Sequence, residues 1–283
     1  MDKSVNKSDQ KNGANRPKAP DPLRFRYKKD LQAHEEPLLH IYHNGAVCET
    51  ETRGYAEPGN RSPLELAVDA TDGFIPLWGP GATLRWRFRP TSLALFRDPA
   101  AAAAVLRTWF AEGLLLWGDA VPVRFQEVQD PWDFELAVSP QANCSPSGCS
   151  LARAFFPDAG QHDIVLYPTL FQQTRAEVIE TLAHELGHVF GLRHFFAQIT
   201  EARWRSEIFG DHTPFSIMNY GPDSRMTDTD RADLRTLYHL VWSGQLTEIN
   251  GTPVRQMRPY SETGRCDPVP ALVAAARPLP TTG

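Results

Sequence analysis

The chain has 283 residues, of which 41% are apolar and 22% charged, an ordinary balance for a globular protein of one or two domains. Lys and Arg total 29 against 34 Asp and Glu, so the formal net charge of −5 gives no overall attraction for nucleic acid or an anionic membrane. No apolar run approaches the roughly eighteen residues of a membrane-spanning helix, so we expect no transmembrane segment.

The N-terminal residues 1–36 are polar and lack hydrophobic periodicity, which predicts a disordered arm. Their basic side chains are not followed by the apolar stretch of a secretory signal. We therefore expect a cytoplasmic protein, one exported by another route, or a sequence whose true start lies upstream. Four cysteines, Cys48, Cys144, Cys149 and Cys266, are too few for a disulfide scaffold and leave the compartment open.

Pro and Gly punctuate residues 37–82, as in "YAEPGNRSPLEL" and "DGFIPLWGPG", which predicts an ordered but irregular N-terminal extension or pro-like segment. Next, "TLRWRFR" alternates, with Leu84, Trp86 and Phe88 on one face, and this pattern predicts a strand. Asp98 can cap a helix that runs through the Ala-rich stretch to Trp117.

Four further segments predict short strands: "PVRFQEV", "WDFELAV", "LARAFF" and "DIVLY". In "WDFELAV", Asp133 and Glu135 lie opposite the apolar face. Thr174 and Glu177 then form a T-x-x-E capping box at the start of a helix with an apolar stripe. A last helix is predicted within "TDTDRADLRTLYHLVW", and the segment 257–283 is predicted to be a flexible tail.

The second long helix carries "HELGHVFGLRH" at residues 184–194. His184 and His188 are four residues apart and therefore share one helix face, where two imidazoles can bind one ion. Gly191 can end the helix in a left-handed conformation, so that His194 returns as a third ligand. Three protein ligands leave a tetrahedral zinc with one open position, which is typical of catalytic sites. Glu185 is then predicted to be the general base for an attacking water.

This spacing resembles the metzincin signature, and "SIMNY" at 216–220 resembles the methionine turn of those zinc metallopeptidases. The resemblance implies a zinc-dependent endopeptidase with a polypeptide substrate, one catalytic Zn²⁺ and Met218 as an apolar floor under the histidines. Two alternatives stay open: a zinc-bound, non-catalytic peptide-binding module of the same fold, and a structural zinc site with His212 or Cys48 as fourth ligand.

The layout of residues 80–243 resembles the matrixin-type catalytic domain. The resemblance implies an α+β fold, with a twisted mixed sheet and two long helices above the cleft and a small irregular C-terminal subdomain with one helix below. We accordingly assign residues 83–256 to the catalytic domain. "LARAFFPD" is similar to the substrate-binding edge strand. We expect a monomer, and the family resemblance makes an extracellular location an option.

The sequence departs from the matrixin pattern at several positions. Arg153 stands where matrixins carry a histidine ligand of a second, structural zinc, and His162 is the one nearby candidate for such a ligand. We therefore expect no structural zinc. The family resemblance makes Ca²⁺ possible, but no segment has the dense acidic pattern of a calcium loop. Cys144 and Cys149 could pair or remain free thiols. Phe195 fits no subfamily pattern.

The methionine turn also contains a candidate catalytic residue. Met218-x-Tyr220 resembles the turn of astacins and serralysins, which implies that Tyr220 stabilises the oxyanion, although it could instead be a packed core tyrosine.

Cys48 lies N-terminal to the catalytic core, where a matrixin pro-segment thiolate would be the fourth zinc ligand. The sequence "GRCDP" around Cys266 superficially resembles the cysteine-containing sequence of those pro-segments, but it lies C-terminal to the catalytic core. A buried thiol is the alternative for both.

Overall fold

The computed structural model describes residues 21–26, 66–70, 73–145, 148–194, 206–209, 216–219 and 224–263. In these ranges the protein is a mixed α/β structure with several helices and small sheets around one apolar core. The strands are β1 (Leu66–Asp69), β2 (Ile75–Trp78), β3 (Thr83–Phe88), β4 (Arg124–Glu127), β5 (Phe134–Val138), β6 (Asn143–Ser145), β7 (Gly148–Ser150), β8 (Ala152–Arg153), β9 (His162–Leu166), β10 (Ser206–Phe209), β11 (Glu248–Ile249) and β12 (Thr252–Met257). The α-helices are α1 (Pro90–Leu93), α2 (Pro99–Trp117), α3 (Arg175–Val189), α4 (Asp228–Trp242) and α5 (Tyr260–Thr263).

The largest sheet has the strand order β4-β3-β5-β9-β8. The first four strands are parallel to one another, and β8 pairs antiparallel with β9 at the edge. The alternation predicted for β3 is confirmed, because Leu84, Trp86 and Phe88 are its buried positions. Strand β5 differs from expectation, since both of its faces are buried. Glu135 tolerates this position because it accepts hydrogen bonds from Arg87 and Arg89 on β3 and just beyond it.

The two long helices, α2 and α3, pack against each other and both begin at the predicted caps. Asp98 accepts from the backbone N–H of Ala101 at 2.9 Å, and Thr174 and Glu177 form the reciprocal capping box. A Cβ at Gly113 of α2 would lie 3.1 Å from the Cβ of Leu182 on α3, so the small residue sets the close helix approach. The segment Pro99–Ala120 is long and apolar enough to cross a membrane, a property that core helices of soluble proteins share.

Two strands lie within the segment that we expected to be irregular. Strand β1 pairs antiparallel with β10, and β2 pairs in parallel with β12, with Ile75 opposite Val254. The core therefore includes the chain on both sides of residues 83–256, and the boundaries of that domain stay a prediction. After Met257, Ser261 donates through its backbone N–H and its hydroxyl to the buried Asp133 carboxylate at 2.6 and 2.9 Å.

The edge strand is shorter than the predicted "LARAFF". Only Ala152 and Arg153 belong to β8, and the aromatic residues that follow pack against histidine rings. Phe155 stacks on His162 at a centroid distance of 4.6 Å, and Phe156 packs edge-on to His188 at 5.6 Å. The last helix follows expectation, and Thr227 and Asp230 add a second reciprocal capping box at its start.

Candidate metal centre

The histidines of the sequence motif converge on one buried point. One ring nitrogen from each of His184, His188 and His194 lies within 4.8 Å of the other two, and all three residues are buried. The Nε2 atom of His184 is 2.9 Å from that of His194 and 3.2 Å from that of His188. Among the described residues, these three form the group of His, Cys, Asp or Glu side chains that could hold a metal ion.

Backbone carbonyls determine which nitrogen of two of these rings faces the cluster. The Nδ1–H of His184 donates to the carbonyl of Ile217 at 2.8 Å, and the Nδ1–H of His188 donates to the carbonyl of Leu192 at 2.7 Å. This assigns the proton to Nδ1 in both rings, so both Nε2 atoms point lone pairs at each other. Such an arrangement is electrostatically unfavourable alone and suits a cation between the rings.

Burial keeps the same rings in the neutral form that a metal requires. Burial, followed by the neighbouring His194, lowers the pKa of His184 to about 3. Burial also lowers the pKa of His188 well below its ordinary value, and His184 and His194 add to that effect. Both imidazoles are therefore unprotonated at neutral pH, which is the form that can bind a metal ion.

The nitrogen spacing is compatible with zinc. Two nitrogens bound to one tetrahedral zinc at bond lengths of 2.0–2.1 Å lie roughly 3.3–3.4 Å apart. The observed Nε2 separations of 2.9 and 3.2 Å are within a few tenths of an ångström of that value. Three imidazole ligands would leave a fourth tetrahedral position, and Glu185 lies in the same helical turn as His184 with 2% of its surface exposed.

Met218 packs against helix α3 at Gly187, and its role as an apolar floor under the histidines stays a prediction. A Cβ built on Gly187 would collide with the Met218 sulfur and would lie 3.2 Å from the ring of Trp117. The missing side chain at position 187, one residue before the second histidine, therefore makes room for the methionine. Gly187 was not among the site residues predicted from the sequence, although a glycine within a helix is itself a signal of close packing.

The buried carboxylate of Asp230 holds the segment that contains Met218. It accepts from the Ser216 hydroxyl at 2.5 Å and from the backbone N–H of Ile217 at 3.3 Å. The same carboxylate accepts from the backbone N–H of Thr227 at 2.8 Å as part of the cap of α4. Helix α4 thus positions Ile217, whose carbonyl orients His184. The T-x-x-D pattern at 227–230 was visible in the sequence, but its second role was not.

The C-terminal end of α3 contacts residues of β2 and α4, which are distant in the chain. Gly191 has a φ of +93°, and a Cβ there would lie 2.8 Å from Leu77. The last helical carbonyls are satisfied by side chains: the indole N–H of Trp78 donates to Val189 at 2.7 Å, and the Tyr238 hydroxyl donates to Phe190 at 2.9 Å. Burial raises the pKa of the Tyr238 phenol, so it remains a donor.

The side chains that depart from the matrixin pattern contact carboxylates of nearby residues, and the two neighbouring cysteines form a disulfide. Arg153 pairs with Asp163 on the neighbouring strand at 2.9 Å, and the Nε2 of His162 lies 3.1 Å from Asp158. Cys144 and Cys149 form a disulfide across the hairpin of β6 and β7. The positions Cys48, Phe195, His212, Tyr220 and Cys266 lie outside the described residues.

Comparisons with known proteins add little. No family model matches the chain, and no curated protein sequence matches it. One solved structure that does match is that of myroilysin, with 13% sequence identity, a TM-score of 0.39, and coverage of 61% of this chain and 98% of that one. A likeness at that level carries no argument about fold or activity.

Proposed function

We propose that the protein is a zinc-dependent metalloendopeptidase of metzincin type. The observation that carries the proposal is the convergence of three buried Nε2 atoms beside Glu185, with two of the rings held in the ligating tautomer by backbone carbonyls. Retention of a structural ion does not require a buried carboxylate at position 185, whereas hydrolysis requires a base.

In this proposal the histidines hold the ion and the glutamate moves the proton. A zinc ion at the three nitrogens would polarise the scissile carbonyl and lower the pKa of water to about 7. The Glu185 carboxylate accepts a proton from the attacking water and delivers it to the nitrogen of the leaving amine. This acid–base step is typically worth about 10²–10⁴ in rate. Tyr220 is proposed to donate a hydrogen bond to the developing oxyanion.

Two further features of the fold support the proposed family and the proposed substrate class. The order of β3, α2, β8 and α4, together with Met218 beneath Gly187, supports a matrixin-type layout of the catalytic domain. Strand β8 is the last strand of its sheet, which suits the addition of an extended polypeptide through main-chain hydrogen bonds. We therefore propose peptide bonds in extended segments as the substrate.

The test is incubation of the zinc-loaded protein with a quenched fluorescent peptide library, with and without a chelator. Chelator-sensitive cleavage that is lost in Glu185→Ala, at unchanged zinc content, is the expected result. Glu180→Ala is the matched control, because Glu180 belongs to the same helix but lies outside the motif. One zinc per chain without chelator-sensitive cleavage would instead favour the non-catalytic peptide-binding module.

A further inference from the structure

Strand β1 lies between the two chain segments that flank the third histidine. On one side, Val68 forms an antiparallel bridge with Leu192, and the backbone N–H of Asp69 donates to the carbonyl of Gly191 at 3.0 Å. On the other side, the same strand pairs with β10, where Val68 is opposite Glu207. The residues just before His194 therefore contact one edge of β1, and strand β10, which follows His194 in the chain, pairs with the other edge.

A buried ion pair ties this strand to the residue before His194. The Arg193 guanidinium lies 3.0 Å from the Asp69 carboxylate, and the side chains are 0% and 5% exposed. The guanidinium also lies over the ring of Phe156 at 5.4 Å, and that ring packs against His188. Arg193 thus contacts both the N-terminal strand and the surroundings of the second histidine.

The position of residues 191–193 affects two histidines of the metal centre. Gly191 gives the turn after α3 conformational freedom, and the position of His194 depends on where this turn goes. Leu192 lies in the same turn, and its carbonyl is the acceptor for the Nδ1–H of His188. A shift of the turn would therefore displace one histidine and rotate another.

We infer that Asp69 and Arg193 are positioning residues of the metal centre, and that β1 is a built-in part of that centre. The inference rests on the proposed zinc site. A buried ion pair contributes little net stability compared with apolar residues of similar volume, whereas it can impose one register on the segments that it joins. Here the register concerns β1 and the turn that carries His194.

The experiment uses the full chain and measures two quantities separately. The zinc Kd is obtained by competition with a chromogenic chelator, and the unfolding temperature is measured on the metal-free protein. Asp69→Asn removes one charge. The double variant Asp69→Leu/Arg193→Met replaces the pair by apolar side chains, and we expect it to keep the fold even if the single variant unfolds. Glu135→Gln is the matched control, because it removes a buried carboxylate that pairs with Arg87 and Arg89 in the large sheet.

The inference predicts that the zinc Kd rises at least about tenfold in both pair variants, a typical effect of losing a residue that orients a ligand. The double variant should show this at an unfolding temperature close to that of the wild type, and Glu135→Gln should bind zinc like the wild type. An unchanged Kd in the double variant, or an equal loss in Glu135→Gln, overturns the inference while leaving the proposed function intact. A wild-type chain that binds no zinc overturns both.

Discussion

The Nδ1–H of His184 donates to the backbone carbonyl of Ile217 at 2.8 Å, so the residue before Met218 orients the first histidine of the motif. The two residues are 33 positions apart. The methionine segment therefore contributes a directed acceptor as well as an apolar surface, and its own position depends on helix α4.

Replacement of Asp230 should test that dependence. Asp230→Ala leaves the Ser216 hydroxyl and the Ile217 N–H without their charged acceptor, so we expect the free energy of unfolding to fall by about 2–3 kcal/mol. Zinc affinity should fall about tenfold because Ile217 orients His184. Asp228→Ala is the control, since that carboxylate is exposed in the same helical turn. Equal effects of the two substitutions on zinc affinity would contradict the prediction.

Replacement of Gly187 should test the packing of Met218. Gly187→Ala would place a methyl group against the Met218 sulfur, so we expect a loss of about 1–3 kcal/mol in the free energy of unfolding despite the better helix propensity of alanine. Met218→Ala is itself destabilising because the side chain is buried, but the double variant Gly187→Ala/Met218→Ala should lose less than the sum of the two single losses, because the smaller side chain leaves room for the methyl group. Additive losses, measured by denaturant unfolding, would refute the contact.

The buried histidines predict acid sensitivity of the metal-free protein. The folded pKa of His184 is about 3, below its ordinary value of 6.5, so in that interval the unfolded chain binds a proton that the folded chain does not. The contribution to stability is complete above about pH 6.5 and is lost as the pH falls toward 3, with a slope of up to about 1.4 kcal/mol per pH unit for this residue.

Denaturant unfolding of the chelator-treated protein between pH 7.5 and 4 measures this slope. His184→Gln should have a shallower dependence than the wild type, because one of the neutral buried imidazoles is gone. His239→Gln, which replaces an exposed histidine on α4, is the control substitution. Identical slopes for the wild type and His184→Gln would rule out the linkage.

The oxyanion role proposed for Tyr220 predicts a selective effect on turnover. Tyr220→Phe should lower kcat about 100-fold, as the loss of one oxyanion donor does, with zinc content unchanged. Tyr260→Phe, in the C-terminal turn α5, is the control and should retain activity. Wild-type kcat in Tyr220→Phe would assign the residue to packing alone.

Much of the local structure could be predicted from the sequence. The caps of α2 and α3 depend on residues three positions apart, and the alternation in β3 depends on neighbours two apart. The convergence of His184 and His188 likewise follows from one helical turn. Each of these features is decided by backbone geometry within a few residues, so the spacing of side chains is sufficient to predict it.

Tertiary structure alone decided what surrounds these local features. Asp69 and Arg193 are 124 residues apart, and Trp78 reaches the carbonyl of Val189 across 111 residues. No periodicity could pair them, because such contacts depend on which surfaces pack together after the elements have formed. The expectation for residues 66–82 differed from the structure for the same reason, since short strands among Pro and Gly acquire order from β10 and β12. The sequence by itself thus determined the candidate ligand set and the candidate base, and tertiary packing decided which residues position them.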